Sequence, residues 1–97
     1  DMLTANNWNV VQYAALTMMF AQVSGLKPGE FIHVIADAHI YDRHVPAVEE
    51  IIKNEPKPAP KFIIDHTVDD FYKFTRDSFS MEGYEYSDFK GTIPVAV

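Results

Sequence analysis

Three polar side chains, those of Asp37, His39 and Tyr41, occupy alternate positions near the end of a segment rich in β-branched and aromatic residues. Residues 30–44 read Glu-Phe-Ile-His-Val-Ile-Ala-Asp-Ala-His-Ile-Tyr-Asp-Arg-His, and this pattern predicts a strand over residues 30–41. Because successive side chains of a strand point to opposite faces, the three polar groups share one face. The Cα atoms of His39 and Tyr41 are then about 6.6–7 Å apart. At that spacing an imidazole and a phenol can converge on one oxygen atom of a ligand, as in the floor of a binding site.

Two other interpretations of this polar face stay open. In the first, the strand is half buried and its polar groups hydrogen-bond a neighbouring loop without any ligand. In the second, His33, Asp37, His39 and His44 bind a metal ion, although none of the recognised zinc-ligand spacings is present. The opposite face is wholly apolar and is expected to pack on a core; it consists of Ile32, Val34, Ala36, Ala38 and Ile40.

A long buried helix is predicted upstream of this strand, from about Asn6 to Gln22. Residues 8–23 are apolar on nearly every side, which is typical of a helix inside a folded protein. Amide and hydroxyl groups scattered through this uncharged stretch argue against a membrane span, and the lack of a preceding basic segment argues against a signal peptide. The rest of the chain is too short to cover such a helix completely. We therefore expect the chain to pack against further protein.

Turn residues predict where the other elements begin and end. Asn6 or Asn7 is expected to cap the long helix, Ser24 and Gly25 to end it, and Pro46 to stand in the first turn of a short helix after the strand. Further along we expect an extended connector at residues 55–60, a strand at residues 62–64, one or two helical turns at residues 68–74 capped by Thr67, a turn at residues 75–78 and a bend at Gly83. The apolar residues 93–97 are expected to be tied down or to act as a lid. Together the elements predict the α/β (α+β) class, with a mixed sheet and a long buried helix.

The composition excludes several classes of function. Ninety-seven residues suit one domain, and the net charge is −6 with only eight Lys and Arg, scattered singly. A basic surface for nucleic acid or an anionic membrane is therefore not expected. The sequence contains no cysteine, which excludes a disulfide, a thiolate metal site and a cysteine nucleophile within these residues. The chain starts at Asp1 rather than at an initiator Met, and we expect it to be a piece of a longer polypeptide.

Three segments resemble the C-terminal part of thymidylate synthase. The first is the helix sequence Asn9-Val-Val-Gln-Tyr-Ala-Ala-Leu-Thr-Met-Met-Phe-Ala-Gln. The second is Gly25-Leu-Lys-Pro-Gly-Glu-Phe-Ile-His, which leads into Asp37-Ala-His-Ile-Tyr-Asp-Arg-His. The third combines Glu55-Pro-Lys-Pro-Ala-Pro-Lys with a later Glu-Gly-Tyr and the ending Pro-Val-Ala-Val. The resemblance covers essentially the whole chain and implies that residues 1–97 are the C-terminal part of a thymidylate synthase-like domain, without its N-terminal catalytic part.

The resemblance implies an enzyme that reductively methylates dUMP to dTMP with 5,10-methylenetetrahydrofolate as co-substrate, giving dihydrofolate. It implies that Asn9 recognises uracil, and that His39 and Tyr41 bind the 3′-hydroxyl of deoxyribose. A side-chain amide suits uracil because it carries a donor and an acceptor side by side, complementary to O4 and N3–H. Cytosine-directed hydroxymethylases of similar fold have an acid at the Asn9 position, so Asn9 favours uracil.

The resemblance also implies which residues contact the folate: the carboxylate of Asp1, the ring of Trp8 and the C-terminal carboxylate of Val97. It implies a cytoplasmic homodimer with no metal, which depends on the remaining N-terminal part of the enzyme. Two positions depart from the family pattern, Ala5 in place of a common Gly and Gln12 in place of a common Ser, and both predict an altered pocket floor.

The family's nucleophilic Cys has no counterpart in these residues, so this chain is expected to be inactive by itself. A non-catalytic alternative stays open, in which the chain is a remnant of the same fold used for dimerisation or for ligand binding without chemistry.

Overall fold

The computed structural model describes residues 1–95, and its longest element is helix α1 (Asn6–Val23). The start of α1 differs from the prediction, because the residue before the helix is Ala5 and no side chain caps it. The carboxylate of Asp1 instead accepts hydrogen bonds from the backbone N–H groups of Leu3 and Thr4, at 3.0 and 3.2 Å. The turn that leads into α1 is thus held by Asp1 rather than by Asn6 or Asn7.

The end of α1 is as predicted. Ser24 is the C-cap residue of α1, and Gly25 follows with φ +66°. The N–H of Gly25 donates to the carbonyl of Gln22 at 3.1 Å, and the N–H of Leu26 donates to that of Ala21 at 2.8 Å. A left-handed glycine of this kind satisfies carbonyls that the last turn would leave unpaired.

The predicted strand over residues 30–41 is absent from the part of the chain that the structure describes. Residues 30–40 make one backbone hydrogen bond among residues 1–95, from the N–H of Met2 to the carbonyl of His39. A strand exists only when a neighbouring strand pairs with its backbone groups, and the described chain supplies none. Side chains two residues apart are nevertheless neighbours at both ends of this segment, since the rings of Phe31 and His33 are 5.7 Å apart and those of His39 and Tyr41 are 4.9 Å apart, but the backbone bends at residues 36–37 between them.

The sheet of the described chain is an antiparallel pair, β1 (Lys61–Ile64) and β2 (Phe79–Glu82). Lys61 lies opposite Glu82 and Ile64 opposite Phe79. Strand β1 confirms the strand predicted at residues 62–64, and the bend at Gly83 is confirmed by its φ of +68°.

A short helix and three single turns complete the fold. Helix α2 (Val45–Ile51) carries Pro46 in its first turn, as predicted, and follows a 3₁₀ turn (Asp42–His44). Two more 3₁₀ turns, Phe71–Lys73 and Arg76–Ser78, lie between the strands. The predicted cap at Thr67 is wrong, because Asp70 accepts the hydrogen bond from the backbone N–H at the start of the 71–73 turn. The mixture of helices with a sheet confirms the α/β class.

Aromatic side chains join α1 to the 71–73 turn and join the two strands to each other and to Phe74. Phe20 stacks on Phe71 with ring centroids 4.8 Å apart and planes 12° apart. Phe79 stacks on Phe62 at 5.9 Å and on Phe74 at 5.7 Å. The α1 end is fixed further by the side-chain amide of Gln22, which donates to two backbone carbonyls of the 65–68 loop at 2.9 and 2.8 Å.

The prediction that α1 is buried is wrong for the described chain, because only Ala21 of its residues is buried. Trp8 is 73% exposed and Val11 is 60% exposed. The accessible surface is 8073 Å², against roughly 5,700 Å² for a folded monomer of this mass. The radius of gyration is 16.5 Å, against about 12.5 Å for a compact domain of this length. These values support the expectation that the chain packs against further protein.

Candidate functional site

The side chains of Asp37, His39 and Tyr41 lie next to one another as predicted, although no strand pairs with this segment. The imidazole of His39 meets the ring of Tyr41 edge to face, at 85°. Its Nδ1 lies 3.1 Å from the backbone carbonyl of Asp37 and 3.3 Å from the carboxylate Oδ1 of the same residue. Because both of these oxygens are acceptors, Nδ1 carries the proton, and in the neutral ring Nε2 is left as an acceptor. The pair His39 and Tyr41 can therefore accept from one ligand hydroxyl and donate to it.

Asp1 lies between two clefts of the structure. The Asn9 cleft, of about 240 Å³, is bounded by the first turns of α1 and by residues 33–36. The tail cleft, of about 410 Å³, is bounded by Tyr41, His44 and residues 93–95. Asp1 lines both clefts. It therefore lies between Asn9, which is predicted to recognise uracil, and Tyr41, which is predicted to bind the sugar.

The carboxylate of Asp1 is held in place by its own turn. One oxygen accepts from the N–H groups of Leu3 and Thr4, and the other accepts from the hydroxyl of Thr4. Each of these donors stabilises the ionised form of a carboxylate. An oriented negative charge therefore stands where the two clefts meet.

Other residues named by the resemblance lie elsewhere. Trp8 lines neither cleft, and Val97 lies outside the described residues. Of the two departures from the family pattern, Ala5 lines the Asn9 cleft. Gln12 instead lines an apolar groove of about 340 Å³ between α1 and the strand pair.

Three residues of the clefts were not singled out by sequence for this role: Asn6, His33 and His44. The Nε2 of His33 lies 2.9 Å from Oδ1 of Asn6, which joins residues 30–41 to the first turn of α1. Asn6 precedes Asn9 by three residues and so shares its helix face, a spacing that could have identified it. His44 is 2% exposed, and its Nε2 lies 2.9 Å from the carbonyl of Pro94. No local pattern identifies such a contact, because its partners are far apart in sequence.

The metal interpretation of the polar face gains no support from the geometry. Among residues 1–95, no three side chains of the His, Cys, Asp or Glu type are grouped as metal ligands would be. Across the same residues, the helices fall short of the length and apolarity needed to cross a membrane.

Comparison with known proteins decides the family. A family model described as thymidylate synthase matches residues 1–97, the whole chain. The chain belongs to the thymidylate synthase family. Among solved structures of this family, the thermostable thymidylate synthase A from Bacillus subtilis superposes with a TM-score of 0.92 at 38% sequence identity.

The match to the Bacillus thymidylate synthase covers 97% of this chain and 34% of that protein. The chain therefore spans about a third of the length of that relative. The fold expected from the resemblance to thymidylate synthase is confirmed by both comparisons.

Proposed function

We propose that the chain is the C-terminal part of a thymidylate synthase that reductively methylates dUMP to dTMP. In this reaction 5,10-methylenetetrahydrofolate supplies both the one-carbon group and the hydride, and leaves as dihydrofolate. The observation that carries the proposal is the position of Asp1, which lines one cleft with Asn9 and another with Tyr41 and the tail. Membership of the family over residues 1–97 supports it.

On the nucleotide side, Asn9 reads the base and the pair His39 and Tyr41 holds the sugar. The Asn9 amide offers uracil one donor and one acceptor. The unprotonated Nε2 of His39 accepts from the 3′-hydroxyl, and the phenol of Tyr41 donates to its oxygen. The edge-to-face ring contact at 4.9 Å supports this joint role, because each ring limits the rotation of the other.

On the folate side, we assign contacts to Asp1, Trp8 and Val97. The fixed carboxylate of Asp1 can accept hydrogen bonds from the amino and N–H groups of a pterin. Ala5, at a position where the family commonly has Gly, lines the same Asn9 cleft as Asp1, and its methyl group occupies volume that a Gly would leave free. The exposed ring of Trp8 offers an apolar surface for the pterin and benzoyl groups.

The chemistry requires a thiolate that adds to C6 of dUMP and makes C5 nucleophilic toward the methylene group. The 97 residues contain no cysteine, so they bind and orient the ligands while another part of the protein supplies the nucleophile. The exposed surface of α1 supports packing against that part. We further propose a cytoplasmic homodimer, in which Phe31, His33 and Ile35 contribute to a sheet-on-sheet interface.

The lack of cysteine also favours a second candidate, a non-catalytic remnant that dimerises or binds ligand. The two candidates differ in turnover. The complete polypeptide that carries this sequence should convert dUMP and methylenetetrahydrofolate to dTMP and dihydrofolate, whereas the 97-residue chain alone should show none. A complete polypeptide that binds dUMP without turnover would favour the remnant.

The base-reading role is tested with Asn9→Asp in the complete polypeptide. The change removes the amide donor and should weaken dUMP binding by roughly 0.5–1.5 kcal/mol, with a smaller loss or a gain for dCMP. Asn7→Asp is a matched control, because it makes the same change on the same helix at a residue outside both clefts. Equal effects of the two variants on dUMP would contradict the assignment.

A further inference from the structure

Thr4 contacts both oxygens of the Asp1 carboxylate, and the proposed function gives it no task. Its backbone N–H donates to Oδ1 at 3.2 Å, and its hydroxyl donates to Oδ2. The backbone N–H of Leu3 also donates to Oδ1, at 3.0 Å. Within residues 1–95, the side-chain hydroxyl of Thr4 is therefore the group that holds Oδ2.

The hydroxyl of Thr4 restrains the rotation of that carboxylate. Rotation about the Cβ–Cγ bond of an aspartate is soft, because terminal torsions of this kind have broad energy wells. The two backbone N–H groups restrain Oδ1, and the hydroxyl restrains Oδ2. With both oxygens bonded, rotation of the carboxylate in either direction has to break at least one hydrogen bond. The orientation of the Asp1 carboxylate thus depends on a side chain as well as on the backbone.

The contacts also determine which part of the carboxylate is left for a ligand. An ionised carboxylate has about four acceptor sites, two on each oxygen. The N–H groups of Leu3 and Thr4 use both sites of Oδ1, and the hydroxyl of Thr4 uses one site of Oδ2. One acceptor site of Oδ2 is left. Asp1 and Thr4 both line the cleft that also contains Tyr41, so this bond lies in the wall of that cleft.

We propose that Thr4 is a positioning residue, whose hydroxyl holds the Asp1 carboxylate in the orientation that accepts a hydrogen bond from the pterin of the folate. The proposal rests on the proposed function for the identity of the ligand, and on the contacts of Thr4 for the orientation of the carboxylate. A carboxylate that is oriented before binding spares the ligand the entropy of ordering it. Without the hydroxyl, only a fraction of molecules presents Oδ2 correctly, and the apparent affinity for folate falls by that fraction.

The test compares Thr4→Val with Thr4→Ser in the complete polypeptide. Valine has nearly the shape of threonine but no hydroxyl, whereas serine keeps the hydroxyl and loses the methyl group. Thr4→Val should raise KM for methylenetetrahydrofolate by about 2- to 10-fold, the loss expected for one hydrogen bond, with kcat changed less than about twofold. The KM for dUMP should stay within about twofold of the wild type, because Thr4 acts on the folate side. Thr4→Ser should restore most of the loss.

Thr67→Val is a matched control. The hydroxyl and the backbone N–H of Thr67 donate to the carboxylate of Asp65 at 2.7 and 2.9 Å, so the same type of contact is made outside both clefts. Thr67→Val should leave both KM values unchanged. If Thr4→Val raises the KM of folate and of dUMP equally, or if serine restores nothing, Thr4 supports the fold in general and the proposal fails.

A second measurement tests the contact without any ligand. The free energy of unfolding of the complete polypeptide is measured for Thr4→Val, for Asp1→Ala and for the double variant. If the Thr4 hydroxyl holds Asp1, Thr4→Val should have little further effect once Asp1 is alanine. Additive losses would overturn the proposal, because they would show that the two side chains do not interact. If the wild type converts no dUMP, the proposed function fails, and this cycle still decides whether Thr4 holds the carboxylate.

Discussion

The backbone N–H of Met2 donates to the carbonyl oxygen of His39 at 2.8 Å. This bond joins the first turn of the chain to the segment that carries the polar face, although no strand forms there. It holds Asp1 beside Tyr41, which is why one carboxylate lines both clefts. The relative position of the two clefts therefore depends on this main-chain bond together with the side-chain contact between His33 and Asn6.

The exposed surface predicts that the isolated chain associates. Its accessible surface exceeds that of a compact monomer by roughly 2,400 Å², more than a standard protein interface buries, about 1,600 Å². Sedimentation velocity should show species larger than a monomer, and their fraction should increase with protein concentration. Emission of Trp8, the single tryptophan of the chain, should shift to shorter wavelength over the same range. A compact monomer at high concentration would contradict the prediction.

The conformation at the end of α1 predicts that replacing Gly25 and replacing Gly29 by alanine will have different effects on the free energy of unfolding. Gly25 has φ +66° with open space around its Cα, so Gly25→Ala introduces backbone strain without a clash. That strain should lower the free energy of unfolding of the complete polypeptide by about 1–2 kcal/mol. Gly29 also has open space but no left-handed φ, and Gly29→Ala should leave the stability unchanged or raise it by about 0.4–1 kcal/mol. Chemical denaturation measures both, and equal losses would argue against the left-handed conformation.

Elements defined by neighbouring residues could be predicted from sequence. The end of α1 at Gly25 and the start of α2 at Pro46 follow from the backbone preferences of those residues. The strand over residues 30–41 could not be predicted in the same way, since its existence depends on a partner strand. The burial of Trp8 depends likewise on what packs against α1, which no pattern within this chain specifies.

In the candidate site, too, contacts between neighbouring residues could be predicted from sequence and contacts between distant residues could not. The side-by-side placement of His39 and Tyr41 follows from their two-residue spacing and is confirmed. Asp1 lies near Tyr41, and His44 contacts Pro94, although the residues of each pair are distant in sequence. The periodicity of the sequence does not predict such contacts. The roles of these residues toward ligands stay predictions.

The loop after β1 predicts a pH effect at Asp65. Oδ1 of this carboxylate accepts from the hydroxyl of Thr67 at 2.7 Å and from its backbone N–H at 2.9 Å. These bonds, with a smaller contribution from the charge of His66, lower the pKa of Asp65 below its ordinary value of 3.8. Because the pKa is lower in the folded state, the stabilisation is complete above pH 3.8 and is lost as the pH falls through the lowered pKa.

Thr67→Val tests this assignment, because it removes the hydroxyl, the largest cause of the shift, and keeps the backbone bond. The pKa of Asp65, followed by the carboxyl carbon in an NMR titration, should rise toward 3.8. Thr92→Val serves as the control, since it deletes an exposed hydroxyl elsewhere in the chain. An Asp65 titration that is the same in the wild type and in Thr67→Val would show that the hydroxyl is not the cause.

The proposed contact between Tyr41 and the 3′-hydroxyl of the nucleotide can be tested with a double-mutant cycle between protein and ligand in the complete polypeptide. Tyr41→Phe removes the phenolic oxygen and leaves the ring contacts with His39 and His44 in place. Loss of one hydrogen bond should weaken dUMP binding by roughly 0.5–1.5 kcal/mol, and by more if the 3′-hydroxyl is left buried without a partner.

The 2′,3′-dideoxy analogue of dUMP lacks that hydroxyl, so the same mutation should have little effect on its binding. The difference between the two ligands isolates the contact from general damage to the site, since such damage affects both equally. Isothermal titration calorimetry of the wild type and of Tyr41→Phe with both nucleotides completes the cycle. If Tyr41→Phe weakens both ligands by the same amount, Tyr41 supports the segment without touching the sugar, and the interpretation of the polar face without a ligand is the correct one.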